Sequence, residues 1–265
     1  MQPLTRIPRA ALARLRGLAF DLDDTLLDEG RLLPEALEAL YALSEAGYEL
    51  YAVTGRPQSF GGVLMRQWPL DAAVTENGAI AFRRAGRRVL RVDRLSAPER
   101  AERRAALERL VRRVRERHPE LVPADDVEGR LSDYTFDIGE HERAPAELVQ
   151  AARSSALALG AAVTSSSVHL HVSLDRADKA SGFVRLVREL HELDPARARL
   201  EYAFIGDSEN DAACFAAFHV TIGVSNLSGR PTLPPRFVTR GARAAGFVEA
   251  AQFLISARRS EAASP

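Results

Sequence analysis

Short apolar runs alternate with amphipathic segments along the first third of the chain. Gly17–Phe20, Glu49–Val53 and Ala72–Thr75 have the length of buried strands, and each is followed by polar or charged residues. The segment between Pro34 and Gly47 repeats apolar residues at helical spacing, with proline at its start and glycine just past its end. Strands and helices alternating at this spacing predict a parallel sheet with right-handed crossovers.

Beyond the third strand the pattern becomes less regular. Residues 79–92 read as a hairpin turning around Gly86, and residues 98–118 carry an apolar stripe at helical spacing among many arginines. We interpret the Glu/Arg mixture of that helix as a solvated face rather than a patch that attracts anions. Residues 164–167, a run of hydroxyl side chains, are interpreted as a loop rather than as a nucleophile.

Two later segments alternate strictly between apolar and polar residues. Residues 134–138 and 168–172 each place their apolar side chains on one face, which is typical of half-covered, antiparallel strands. The helix that we predict between them completes a small α+β unit. We therefore predict an α/β protein with a Rossmann-like core over 1–93 and 176–265, and an α+β domain inserted over 94–175.

The parallel pattern resumes after Lys179. We predict a helix, a strand, a helix and two further strands, over 183–191, 202–206, 212–218, 219–223 and 237–239. The polar tail over 258–265 is expected to be disordered.

Composition excludes several classes of protein. Among 265 residues, 46% are hydrophobic and 27% charged, and the formal net charge is zero, so nothing indicates nucleic acid or an anionic membrane as partner. Cys214 is the only cysteine, which excludes an intrachain disulfide and suits a reducing compartment, so we expect a cytoplasmic protein. We expect a monomer or homodimer.

The first sixteen residues are basic but lack a continuous apolar region, which argues against a secretory signal. We expect a short frayed extension there, and a transit peptide stays open.

One lysine, Lys179, stands among 36 basic residues, and all the others are arginine. Arginine was acceptable almost everywhere, so a retained lysine indicates a task that needs a compact charge on a flexible stem.

Carboxylates follow the first buried strand directly. Asp21, Asp23, Asp24 and Thr25 lie where the carboxyl end of that strand is expected, which is where open α/β sheets bind ligands. Clustered carboxylates repel one another unless they share a cation or a proton. On this stretch alone, an N-cap role for Asp23 or Asp24 remains an alternative.

A second acidic motif, Asp207 to Asp211, follows the predicted strand over 202–206. If that strand neighbours the one before Asp21, their ends lie about 4.8 Å apart. Carboxylates at that separation suit Mg²⁺, which also binds water and phosphate oxygens. With Lys179 and Thr54 neutralising a phosphate, Asp21 would be free to attack it, since carboxylates can form aspartyl-phosphates.

Taken in order, four motifs resemble the haloacid dehalogenase superfamily. They are Asp21-x-Asp23-x-Thr25, Thr54-Gly55-Arg56, Lys179, and Gly206-Asp207-x-x-x-Asp211. The resemblance covers essentially the whole chain. The insert resembles the α/β cap of the subfamily, called IIB, that contains Cof-type sugar-phosphate phosphatases, and Glu76-Asn77-Gly78-Ala79 also resembles that subfamily.

The resemblance implies a Mg²⁺-dependent phosphatase with defined residue roles. Asp21 would be the nucleophile and Asp23 the general acid. The metal would be bound by Asp21, the carbonyl of Asp23, Asp207 and Asp211, and the phosphate by Thr54, Gly55, Arg56, Lys179 and Asn210. Arg56 is also interpreted as a brace for its loop, and Asn210 as orienting either Lys179 or the phosphate. Asp24 replaces the glycine that is frequent after the second aspartate.

Polar residues of the insert are candidates for the roof over the substrate. They are Asp133, Thr135, Asp137, His169 and His171, with Asn77 joining them from the core. The caps of the resembled subfamily turn one sheet face toward the site, and a solvated polar face is the alternative.

The expected substrate is a small phosphate ester of the sugar-phosphate type or a related metabolite, because the resembled subfamily acts on such compounds. One alternative is a phosphomutase of the same superfamily. Others are a phosphorylatable signalling domain and a catalytically inactive phosphate-binding module.

Overall fold

The computed structural model describes residues 1–166, 168–227 and 231–262. The strands in these ranges are β1 (Gln2–Pro3), β2 (Gly17–Phe20), β3 (Glu49–Val53), β4 (Ala72–Thr75), β5 (Ile80–Ala85), β6 (Arg88–Asp93), β7 (Asp133–Asp137), β8 (Ala162–Ser165), β9 (His169–Ser173), β10 (Tyr202–Gly206), β11 (Val220–Gly223) and β12 (Phe237–Val238). The α-helices are α1 (Arg9–Leu12), α2 (Pro34–Glu45), α3 (Gln58–Gln67), α4 (Ala97–Arg117), α5 (Ala146–Ala158), α6 (Lys179–His191), α7 (Pro195–Glu201), α8 (Ala212–Ala217) and α9 (Arg243–Ala262).

A large sheet forms the centre of the molecule, with the strand order β1-β12-β11-β10-β2-β3-β4-β5-β6. In this order, the seven strands from β1 through β12, β11, β10, β2 and β3 to β4 pair in parallel. The β5–β6 hairpin, which turns at Gly86, adds two antiparallel strands. The predicted α/β fold with a parallel core is therefore confirmed.

Helices cover both faces of this sheet. Side chains of α2, α3 and α9 pack with Leu18 and Phe20 of β2 on one face, and side chains of α6, α7 and α8 pack with Ala19 on the other. Alternate residues of β2 thus enter different apolar clusters, and all four are buried. Burial on both faces explains why this strand reads as an unbroken apolar run.

A second layer contains the three-stranded antiparallel sheet β7-β9-β8 with α4 and α5. Phe136, Leu170 and Val172 face these helices in an apolar cluster of their own. The chain enters this layer after β6 and returns to the core before α6. The domain bounds 94 and 175 remain a prediction.

Two local predictions are wrong. Thr164 and Ser165 lie in β8, which pairs with β9, so the loop prediction over 164–167 is wrong for these two residues. Ser166 follows the strand, and Ser167 lies outside the described residues. Lys179 is the first residue of α6, so this helix begins four residues before the predicted helix over 183–191. Asp178 and Ser181 form a capping box there, so the helix begins immediately at the lysine.

The N-terminal segment is ordered by tertiary contacts rather than frayed. Gln2–Pro3 pairs with β12, and Leu4 and Ile7 are buried. At the other end of the chain, the expected disorder over 258–265 is wrong as far as Ala262, where α9 ends, and residues 263–265 lie outside the described ranges. Phe247 of α9 contacts Phe20 edge-on, with ring centroids 5.1 Å apart.

Across the residues described, every helix is too short or too polar to cross a membrane.

Candidate active site

The two acidic motifs follow neighbouring strands. β2 and β10 pair in parallel, with Phe20 opposite Ile205, and the backbone N–H of Asp21 donates to the Ile205 carbonyl at 2.9 Å. The strand ends therefore bring Asp21 and Asp207 to the same edge of the sheet, as the carboxyl ends of parallel strands must.

Three carboxylates and a lysine form the centre of the site. Oxygen atoms of Asp21, Asp207 and Asp211 all lie within 4.8 Å of one another. Lys179 Nζ lies 2.9 Å from Asp21 and 2.7 Å from Asp211, and its side chain is 0% exposed. The lysine thus reaches this cluster from the first turn of α6, where a flexible four-carbon stem can place a compact charge between two carboxylates.

Burial dominates the protonation of the cluster. It raises the pKa of Asp21 to about 7 against the attraction of Lys179, and Asp211 and Asp23 raise it further. Burial together with Asp211 and Asp21 raises the pKa of Asp207 to about 9. Burial also opposes the charge of Lys179, but Asp21 and Asp211 outweigh it, so the pKa of the lysine is raised.

These residues fit a divalent cation. Thr25 donates to one oxygen of Asp207 at 3.2 Å, but Oδ2 of Asp207 is buried with no hydrogen-bond partner among the described atoms. Three carboxylates against one lysine leave excess negative charge, which adds to burial in raising the pKa values of Asp21 and Asp207. Carboxylate oxygens are the ligands that hard cations such as Mg²⁺ prefer.

Asp211 also organises its own loop. Its second oxygen accepts from the backbone N–H groups of Asp207 and Ser208, at 2.9 and 3.1 Å. It is therefore Asp211, rather than Asn210, that the structure places against Lys179. Asn210 accepts from Ser208 Oγ at 2.7 Å and donates weakly to Asn77 Oδ1 at 3.4 Å.

Asp23 pairs with Arg56. The guanidinium donates to both carboxylate oxygens, at 2.6 to 3.1 Å, and lies over the ring of Phe60 at 4.7 Å. The two side chains remain partly exposed. In this arrangement Arg56 braces the second aspartate of the motif and its own loop, so of its two predicted roles the structure shows the bracing contact.

The Thr54-Gly55-Arg56 loop follows β3, which pairs with β2. Thr54 is fully buried, and its hydroxyl oxygen accepts from the backbone N–H of Arg56 at 3.0 Å. A side chain on Gly55 would lie about 3.2 Å from both His171 Cε1 and Asn77 Oδ1. The glycine therefore leaves room for a histidine of the second sheet to approach the core.

The polar face of the second sheet turns toward this edge of the core. Thr135 lies opposite His171 in the β7–β9 pair, and the carboxylate of Asp133 bonds His171 Nδ1 at 2.9 Å. All three residues are buried, so the alternative of a solvated sheet face is wrong for them. Burial lowers the pKa of His171 although Asp133 opposes this, while Arg130 and His171 lower the pKa of Asp133 against its burial.

The outer residues of the same face make local contacts. Asp137 accepts from three backbone N–H groups, those of Gly139, Glu140 and His141, at 2.7 to 3.1 Å. Its carboxylate braces a turn and is not aimed at the carboxylate cluster. His169 Nε2 lies 2.7 Å from Glu140 Oε2, at the rim of the site.

The space between the two sheets is small. A cavity of about 20 Å³ is lined by Asp21, Asp23, Gly55, Arg56, Ser166, His169, His171, Ser208 and Asn210. This volume admits about one water molecule. Asn77 lies beside this space, and its Nδ2 is buried without a hydrogen-bond partner among the described atoms.

Sequence reasoning missed two buried charges that join the layers. Glu76 accepts from the backbone N–H groups of Gln58 in the core and of Leu131 and Ser132 in the second layer, at 2.6 to 3.2 Å. Arg130 donates to the carbonyl of Gly55 at 2.9 Å. Glu76 stood in a noted motif, but nothing in the sequence separates Arg130 from the other arginines.

Comparisons with known proteins agree with this geometry. Residues 18–122 match the family model described as haloacid dehalogenase-like hydrolase. A phosphoglycolate phosphatase of Archaeoglobus fulgidus is 29% identical over 246 residues, which cover 90% of this chain and 96% of the relative.

Solved structures show the same fold. A Thermoplasma acidophilum protein superposes with a TM-score of 0.71 at 20% identity, over 91% of this chain and 98% of the other. A sugar phosphatase of subclass IIB superposes with a TM-score of 0.63 at 17% identity, over 89% and 98%. Residues 18–122 therefore match the haloacid dehalogenase-like hydrolase family, and the chain as a whole has the fold of the subclass IIB sugar phosphatase.

Proposed function

We propose that the protein is a Mg²⁺-dependent phosphatase that hydrolyses a small phosphomonoester through an aspartyl-phosphate on Asp21. The observation that carries the proposal is the buried cluster of Asp21, Asp207 and Asp211, closed on one side by Lys179. Phosphoryl transfer depends mainly on alignment and electrostatics, because the negative charge of the phosphoryl group has to be neutralised. A lysine and a metal ion beside the attacking carboxylate would supply the positive charge.

Asp21, Asp207, Asp211 and the carbonyl of Asp23 would hold the cation. When bound, it would supply positive charge that keeps the carboxylates ionised and neutralises the phosphate. Lys179 would supply further charge to the phosphoryl oxygens.

The reaction would proceed in two displacements. A carboxylate oxygen of Asp21 attacks phosphorus while the bond to the leaving oxygen breaks, and Asp23 gives that oxygen a proton. Water then attacks the phosphorus of the aspartyl-phosphate, Asp23 takes a proton from the water, and Asp21 and orthophosphate are released. The guanidinium of Arg56 donates to both oxygens of Asp23, so it has to release at least one of them before Asp23 can transfer a proton.

We propose that residues 94–175 are a movable cap and that the leaving group is short and polar. The lining of the small cavity is polar, with histidine, serine, arginine and asparagine side chains beside Asp21 and Asp23. The Archaeoglobus fulgidus relative is a phosphoglycolate phosphatase. Phosphoglycolate, a two-carbon acid phosphate, is therefore the first substrate to test, followed by sugar phosphates.

The test is phosphate release from 2-phosphoglycolate, hexose phosphates and p-nitrophenyl phosphate, with and without Mg²⁺. We expect Asp21→Asn to lose at least ~10³-fold in kcat, because the nucleophile is removed. Asp24→Asn is the matched control from the same loop. Asp24 has φ of 55°, which asparagine tolerates, so this variant should stay within a few-fold of wild type.

Robust hydrolysis by Asp21→Asn contradicts the nucleophile assignment. A wild-type protein that isomerises a hexose phosphate without releasing phosphate would instead be a phosphomutase.

A further inference from the structure

Arg130 is a buried cation of the second layer that lies directly against the core. Its side chain is 0% exposed. Nε and one terminal nitrogen donate to Asp126 at 2.7 Å, and the other terminal nitrogen donates to both oxygens of Asp133 at 3.1 Å. Two carboxylates of its own layer thus fix the guanidinium plane.

The nitrogen that faces Asp133 also donates to the carbonyl of Gly55 in the core, at 2.9 Å. This contact joins residues 75 positions apart in sequence. A charged donor makes a stronger hydrogen bond than a neutral one, and the absence of bulk water strengthens it further.

The carbonyl of Gly55 and the N–H of Arg56 belong to one planar peptide unit, so orienting one orients the other. That N–H donates to Thr54 Oγ1 at 3.0 Å. Because this bond occupies a lone pair of the hydroxyl, the proton of Thr54 is directed away from the peptide and is available to donate. Arg130, the peptide and Thr54 therefore form one chain of hydrogen bonds.

We infer that Arg130 is a positioning residue that completes the phosphate-binding hydroxyl of Thr54 when the second layer lies on the core. It acts through the Gly55–Arg56 peptide and touches no substrate atom. The inference rests on the proposed function, in which Thr54 binds the phosphoryl group. Its consequence is that tight phosphate binding requires closure, so an open protein holds phosphate weakly.

The test is the affinity for orthophosphate, measured by calorimetry in the presence of Mg²⁺. Arg130→Lys keeps a positive charge beside Asp133 but loses the planar fork, so we expect orthophosphate to bind about tenfold more weakly. Thr54→Val should weaken binding by a similar factor. The double variant should bind orthophosphate less than about twofold more weakly than Thr54→Val alone, because both changes remove the same donor.

Arg100→Lys is the matched control. Arg100 is a buried arginine of the same layer, and the partners of its guanidinium are Asp93 and Asp175 rather than residues 54–56. We expect its affinity for orthophosphate to stay within about twofold of wild type, and urea unfolding checks that each variant is folded.

If Arg130→Lys does not fold, Asp126→Asn decides the question. It releases the outer anchor of the guanidinium and leaves the Asp133 pair in place, so binding should weaken in the same direction by a smaller factor. Unchanged affinity in the folded variants overturns the inference, as does an equal loss in Arg100→Lys or full additivity with Thr54→Val. A wild-type protein that neither binds orthophosphate nor releases it from any ester refutes the proposed function instead.

Discussion

At the scale of single residues, the burial of a side chain and the number of opposite charges beside it together decide whether it is charged. Lys179 stays charged without solvent because two carboxylates lie within 2.9 Å of its nitrogen. His171 has one carboxylate partner, and its burial is the larger influence, so its pKa falls below the ordinary 6.5. The two residues differ in the number of opposite charges that they contact.

His171 gives a prediction for stability against pH. The unfolded chain takes up a proton near the ordinary histidine pKa of 6.5, whereas native His171 stays neutral to lower pH. Between these two values the unfolded state binds more protons, so the free energy of unfolding should fall as the pH drops below about 6.5. In His171→Asn this part of the decrease should be absent, as measured by urea unfolding at about pH 7.5, 6.5 and 5.5.

His141 provides a control of opposite sign. It is exposed beside Asp125, which raises its pKa. Its contribution to the free energy of unfolding is therefore present below pH 6.5 and is lost as the pH rises. His141→Asn should therefore not flatten the acid-side decrease. An identical pH slope in wild type and His171→Asn would contradict the prediction.

At the scale of elements, a close contact between two glycines sets the position of α6. A Cβ atom on Gly182 would lie 2.4 Å from the Cα of Gly78, in the turn that follows β4. Gly78 itself has φ of 105°, in the region that favours glycine. This contact holds the first turn of α6, and with it Lys179, against the core.

Gly182→Ala tests whether the loss of stability from steric overlap at this contact exceeds the gain from the higher helix propensity of alanine. In a free helix, Gly→Ala stabilises by about 1 kcal/mol. In Gly182→Ala the new methyl group overlaps backbone atoms that have little room to move, so we expect destabilisation by about 1–3 kcal/mol and lower activity as Lys179 shifts. Urea unfolding and phosphate release measure the two effects.

Gly62→Ala in α3 is the matched control. Its Cβ would meet only the end of the Arg66 side chain, at 3.3 Å. We expect stabilisation by about 0.5–1 kcal/mol there, and the same sign at both sites would refute the packing argument.

At the scale of the whole molecule, the two layers enclose the site. The cavity of about 20 Å³ at the site is too small for a phosphate ester, so under the proposed function we expect the layers to separate before substrate enters. One contact between them joins Gly129 and Ser59 of α3, where a Cβ on Gly129 would lie 3.2 Å from the Cβ of Ser59.

A disulfide across that contact tests the movement. Cβ atoms of a disulfide are about 3.8 Å apart, so Ser59→Cys with Gly129→Cys should form one after a shift of a few tenths of an ångström. We expect the oxidised double variant to lose at least ~10-fold in turnover and to regain it on reduction, because the bond holds the layers together. The buried Cys214 should not compete for the bond.

Each single-cysteine variant serves as control and should keep its activity under oxidation. Full activity in the oxidised double variant would mean that substrate enters without separation of the layers.

Much of the core follows from the sequence alone. The buried strands, their polar ends and the alternating pattern of β7 and β9 depend on local periodicity, so they were predicted within a few residues. The single lysine stood out by its rarity. Alanine-rich α9 and the two-residue β1 were missed, because their order comes from packing on distant segments.

Tertiary structure decided which of these residues meet. The predicted metal site required that Asp21 and Asp207 follow neighbouring strands, and only the pairing of β2 with β10 shows that they do. Arg130 resembles any other arginine in the sequence, and the motif that contains Glu76 does not reveal the partners of its carboxylate. Both residues make contacts with residues 55 to 75 positions away. Periodicity records whether a residue is buried, but the partner of a buried charge depends on how separate layers pack, which no local pattern encodes.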